Sequence, residues 1–184
     1  MRGTILGAVT AIAMGSAIPQ AQAAWHGYFN SEAGFSYLAP GDVKGEKTNY
    51  RSASEGQRTA TVFRSVEDDV EYKVTVVNFF GRKGNDEDII KEASALLRGA
   101  NKVLSDEEAR VESSYGRKMT VDLPTNGGRS MAAVYFNQGY LIELQVTVLP
   151  ANGDYGSPDM GRFIDSLAFG AGREGDATEL KLMR

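Results

Sequence analysis

The chain has no cysteine and only one histidine and one tryptophan in 184 residues. Without cysteine no disulfide braces the fold, no thiolate holds a metal and no lipid is attached through sulfur. A single histidine cannot complete the usual zinc ligand set. It is His26, in an N-terminal segment expected to be mobile. A hydrolytic triad needs an imidazole fixed between a nucleophile and an orienting acid, so His26 is a poor catalyst on position alone. No serine stands in a G-x-S-x-G elbow. No apolar run reaches the roughly 20 residues of a membrane-spanning helix. No repeat at a period of about 20 to 50 residues suggests a solenoid or propeller. What remains is a chain that must be stabilised by apolar burial and that shows no catalytic signature.

The first 23 residues carry one charge, Arg2. The apolar run Ile5–Ile18 is 14 residues long and is closed by Pro19, which cannot continue a helix. Ala21-Gln22-Ala23 then offers the small residues of an A-x-A site. A positive start, a short apolar core and that site predict a secretory leader over residues 1–23, cut after Ala23. The alternative, an uncleaved anchor, needs a longer core. Removing the leader takes away one base, leaving 19 basic and 24 acidic residues, a net charge of −5 on 161 residues. Such a chain has no general attraction for nucleic acid or an anionic membrane. The expected address is periplasmic or secreted, with no transmembrane segment in the mature chain.

One domain is expected over residues 24–169, with a flexible Gly-rich, charged tail over 170–184. Period-two alternation marks strands. "GFSYLAP" puts Phe35 and Tyr37 on one face. "RTATVFRSV" puts Ala60, Val62 and Val66 on one side. Across the Glu67-Asp68-Asp69 turn, Val70, Tyr72, Val74 and Val76 alternate with Glu71, Lys73 and Thr75, completing a hairpin. "RSMAAVYFN" and "YLIELQVTVL" form a second hairpin around Asn137-Gln138-Gly139. "ARVESSYGRKMTVDLP" reads as two short strands bent at Gly116.

Two helices are legible. One starts after Asn85 as N-cap, opens with Asp86, Glu87 and Asp88, and ends at Gly99, with Ile89, Ile90, Ala93, Leu96 and Leu97 as its apolar stripe. The other is capped by Ser157 with Pro158 at its first position, and turns Met160, Phe163, Ile164 and Leu167 inward. Strands, helix, strands, helix, with mostly antiparallel pairing, make an α+β domain.

The candidate sites are few. Gly81-Arg82-Lys83 and Gly116-Arg117-Lys118 repeat a tripeptide; if the two turns met, Arg82, Lys83, Arg117 and Lys118 would make a patch for an anion or an acidic partner. The acids of 67–71 and 85–88 lack the alternating spacing of a calcium loop and read as a solvated turn and a dipole-complementing first helical turn. No metal and no cofactor is called for.

The order of a short strand with "GFSYLAP", a long hairpin, a helix, further strands including "SMAAVYFNQGYLIELQVTV" and a closing "GRFIDSLAF" resembles the PsbP/Mog1-like fold group, which includes small exported bacterial proteins. The resemblance spans about residues 29–169. It implies an α/β/α sandwich around an antiparallel sheet and an accessory, chaperone-like or partner-binding role. It transfers no functional residue. Plant members assist photosystem II, and the secretory leader points away from that setting. The resulting expectation is an exported, non-enzymatic protein that binds another envelope protein. The alternative is a small-molecule or lipid binder with a cleft between sheet and helix. A carboxylate hydrolase would need two acids facing each other in a cleft, one with a raised pKa.

Overall fold

The computed structural model describes residues 23–170 and 176–183; the expected leader lies outside these residues except for Ala23. In chain order the strands are β1 (Trp25–Asn30), β2 (Phe35–Pro40), β3 (Lys44–Ser52), β4 (Gly56–Glu67) and β5 (Val70–Asn78). Helix α1 (Asp86–Arg98) precedes β6 (Lys102–Val111), β7 (Ser114–Asp122), β8 (Arg129–Asn137) and β9 (Tyr140–Val148). Helix α2 (Pro158–Asp165) and the two-residue strands β10 (Ala168–Phe169) and β11 (Thr178–Glu179) follow.

Seven strands form one antiparallel sheet in the order β3-β4-β5-β9-β8-β7-β6. The hairpins at its heart are the ones their alternation predicts. In β9, Leu141 faces one side while Ile142, Leu144, Val146 and Val148 face the other, and all are buried. Turns β4–β5 and β8–β9 place Asp68, Asp69, Gln138 and Gly139 at positive φ, the two-residue geometry that suits the twist of paired strands.

The two faces are covered differently. Helix α1 lays Ile89, Ile90 and Ala93 over Ala60, Val77, Val134, Phe136 and Leu141. On the other face lie α2 and a small sheet, β10-β2-β1-β11. There Phe35, Tyr37, Met160, Phe163 and Ile164 meet Tyr72, Val74, Ile142 and Leu144. The helices thus flank the large sheet as an α+β domain should, but α2 shares its layer with strands.

Several expectations are corrected. Val66 is 59% exposed although Ala60 and Val62 of the same face are buried, and Phe63 is buried on the opposite face of β4. Val66 lies near the Asp68–Asp69 turn, opposite Glu71. Leu96 does not join the buried stripe of α1; Ser94 does, with Oγ donating to the Ile90 carbonyl at 2.6 Å. The chain reverses at Glu112-Ser113, not at Gly116, which lies inside β7. Gly116 is needed because a methyl there would collide with the Tyr135 ring and the Val134 carbonyl oxygen. His26 is exposed but fixed, paired with Ala39 in the β1–β2 ladder rather than mobile. The C-terminal run is not loose where it is described. β11 pairs in parallel with β1, the Leu180 N–H donates to the Phe29 carbonyl at 2.7 Å, and the Met183 N–H donates to Thr61 Oγ1 at 2.9 Å. The domain therefore extends past Phe169. Among the described residues no helix is long and apolar enough to cross a membrane.

Candidate functional site

The site is built where α1 meets the outer strands. Asn85 caps α1, its side-chain oxygen accepting the Asp88 N–H at 2.8 Å. Just before it, Arg82 pairs with Asp86 and lays its guanidinium 4.3 Å from the centre of the Phe136 ring. Ile89, Ile90 and Ala93 of α1 are buried against the large sheet, and the helix also runs beside β7 of the β6–β7 hairpin. Its far strand, β6, is an unpaired sheet edge whose residues are mostly exposed.

A groove follows between α1 and this hairpin. One hollow, of about 580 Å³, is lined by Asp86, Glu87, Ile90, Glu108, Tyr115 and Phe136, with polar groups of the two hairpin turns at its rim. A second, of about 310 Å³, lies against Lys91, Ser94, Arg98 and Arg117. The two share Glu87, Ile90, Glu108 and Tyr115. Arg98 and Arg117 both converge on Asp106, at 2.5 and 2.6 Å. The Asp106 hydrogen bond raises Arg117's pKa further, so the guanidinium stays charged. By contrast, among the described residues no ion pair is made to Glu87 or Glu108. The groove therefore has an acidic middle, Glu87 and Glu108 beside Tyr115, and a basic end in which Arg98 and Arg117 share Asp106 and Lys91 stands alongside.

The four cations singled out from sequence do not come together. Arg117 and Lys118 are consecutive in β7 and must point to opposite faces. Arg117 reaches the groove, while Lys118 pairs with Asp165 of α2 at 2.7 Å across the sheet. Arg82 is spent on Asp86 and Phe136. Lys83 and Gly84 donate their backbone N–H groups to Glu55 Oε1 at 2.8 Å, which fastens the β3–β4 turn to the loop before α1. Glu92 of α1 holds the same turn, accepting from Ala53 N–H at 2.5 Å and Ser54 Oγ at 2.6 Å.

The carboxyl that burial perturbs most lines neither hollow of the groove. Glu143 of β9 is 7% exposed, and desolvation pushes its pKa up to about 7 against the opposing pull of the Tyr50 hydroxyl, which donates to it at 3.1 Å, and of Lys73. The pairing a carboxylate hydrolase requires, two facing acids of which one is raised by burial, is not what Glu143 offers. Among the described residues no three His, Cys, Asp or Glu side chains gather as metal ligands.

No protein-family model and no curated protein sequence matches the chain. The solution structure of cyanobacterial PsbP (CyanoP) from Synechocystis sp. PCC 6803 does match, with a TM-score of 0.55 over 85% of this chain and 98% of that one. The chain has the PsbP-like fold. At 17% identity the likeness concerns the fold alone. Within the PsbP-like fold, the groove beside α1 is described from this chain's own residues. Sequence reading missed it because its lining comes from a helix, three strands and two hairpin turns far apart in the chain. The acids of α1 carry a sufficient local explanation in the helix dipole, and nothing in a linear pattern shows that Glu108 faces one of them.

Proposed function

We propose that the protein is an exported, non-enzymatic accessory protein that binds another protein of the cell envelope through the groove beside α1. The observation that carries this reading is the pair Glu87 and Glu108, unpaired acids that flank Tyr115 and Ile90 next to the free edge of the large sheet. Two acids in an elongated groove suit a basic protein segment, because they supply selection by sign. Export rests on the sequence of the leader. The PsbP-like fold supports the accessory role by analogy of architecture.

The test is affinity capture from the native envelope with the wild-type chain and with the double variant Glu87→Lys, Glu108→Lys. The expected result is a partner retained by the wild type and depleted at least about tenfold by the variant, which corresponds to roughly 1.4 kcal/mol of binding. Equal retention by both chains refutes the groove, and no retained partner refutes the role. A second reading, a small-molecule binder, is favoured by the size of the larger hollow, which lies within the range of ligand pockets. Native mass spectrometry of the protein purified from its own cells would show the bound mass it requires.

A further inference from the structure

The start of β1 runs beside a further, smaller pocket on the face of the large sheet opposite α1. The Gly41 N–H donates to the Ala24 carbonyl at 3.3 Å, which fixes Ala24 against the turn between β2 and β3. A methyl placed on Gly41 would lie 3.7 Å from Glu67 Oε2, so that carboxylate stands over the same glycine. The pocket, about 130 Å³, is lined by Ala23 itself together with Trp25, Glu67, Asp68, Tyr72 and Asp159. Among the described residues no ion pair is made to Glu67, Asp68 or Asp159. The nearby cation, Arg162, lies over the Trp25 ring at 4.2 Å.

In the uncut chain the bond between Ala23 and Ala24 is a neutral peptide. Hydrolysis after Ala23 adds water across it: the carbonyl carbon of Ala23 takes the hydroxyl and leaves as a carboxylate, and the Ala24 nitrogen becomes an ammonium. That charge is created next to Ala23, which lines the same pocket as Glu67, Asp68, Asp154 and Asp159. We propose that Glu67 and Asp68 form the seat of the mature chain's new amino terminus. The proposal rests on the export reading above. It makes the leader's removal a step that completes the fold: the ammonium pins Ala24, the residue before β1, through charge-assisted contacts, where the uncut peptide offers none. A partly enclosed ammonium near two carboxylates is also held protonated to higher pH than a free one.

The experiment expresses the full chain with its leader in an exporting bacterium and purifies the secreted product. Intact mass identifies the first residue. The α-amine is then labelled by reductive ¹³C-methylation, which keeps its charge, and titrated by NMR in the wild type, in Glu67→Gln, and in Glu67→Gln with Asp68→Asn. The amide at position 68 tolerates the positive φ that Asp68 adopts. The expected product begins at Ala24, with an α-amine pKa about one unit or more above that of the double variant and a smaller gap in the single variant. The gap should shrink in 1 M salt, as the roughly 3 Å screening length there requires. A product that begins at Ala24 but whose amine titrates alike in all three chains overturns the seat and leaves the export reading standing. A product that begins elsewhere, or an uncut chain, overturns both.

Discussion

Gly116 shows how a single missing side chain sets the packing of the outer hairpin. It sits in mid-β7 opposite Tyr135, and the ring of Tyr135 lies where a Cβ would be. The Val134 carbonyl closes the space from the backbone side, so neither neighbour can yield cheaply. Gly116→Ala is expected to lower stability by about 1–3 kcal/mol through overpacking, against the usual gain from replacing a strand glycine. Urea unfolding reads this as a lower midpoint at unchanged slope. Glu143 gives a second prediction with a pH signature. Its carboxyl titrates at about 7 in the folded chain and near its ordinary 4.5 when unfolded. The folded state therefore holds a proton that the unfolded state has released, and stability falls as pH rises from about 4.5 through 7. The full loss, about 3 kcal/mol, is present above pH 7. Glu143→Gln keeps an acceptor for the Tyr50 hydroxyl and cannot ionise. It should be more stable than wild type at pH 8, with the two chains converging toward pH 4. Parallel stability curves across that range would show that burial does not perturb this carboxyl.

At the scale of elements, the C-terminal strap is the clearest departure from what its composition suggests. Its charge and glycine content argue for a loose end, yet Leu180 and Leu182 reach the core. Asn30 secures the crossing: buried, it donates to the Leu180 carbonyl at 2.7 Å and accepts from the Ala33 N–H at 2.6 Å. Removing residues 176–184 strips the apolar cover and leaves the Asn30 amide without its acceptor. The expected cost is about 2–4 kcal/mol, summing a buried leucine and one unsatisfied polar group. An unchanged denaturation midpoint would mean that the strap does not dock in solution. The same reasoning explains which elements were legible beforehand. The two central hairpins and both helices announce themselves because one face of each is apolar at a fixed period, with Asn85 and Ser157 marking where the helices begin. Strand β3, KGEKTNYRS, is a sheet edge with little to bury, so its alternation carries no apolar signal. Strand β1 and the strap are held by pairing with chain more than a hundred residues away in the strap's case, which local pattern cannot express. The groove is illegible for the same reason, whereas the failure of the Arg-Lys patch follows from period two alone: neighbours in a strand cannot share a face.

For the whole molecule, the question is whether two cores on opposite faces of one sheet behave as one. Phe163 of α2, fully buried, meets Tyr37 of the small sheet at 6.0 Å and Tyr72 of the large sheet at 5.3 Å, both edge-on. One ring therefore keys α2, the small sheet and the large sheet together, with no disulfide to share the task. The α1 core is linked to this one through the sheet itself, since β9 sends Leu141 to one side and Ile142 to the other. Phe163→Ala should cost about 3–5 kcal/mol, a third or more of the stability of an ordinary domain. The loss should be global. Trp25, the only tryptophan, packs against Tyr72 at 5.7 Å, so its fluorescence reports the α2 side, while far-ultraviolet dichroism reports both. Shared strands predict coincident transitions by the two probes in wild type and variant, both midpoints moving together. If fluorescence instead shifted alone, the α1 face would be a separately stable unit, and the groove beside it would persist after the other core had melted.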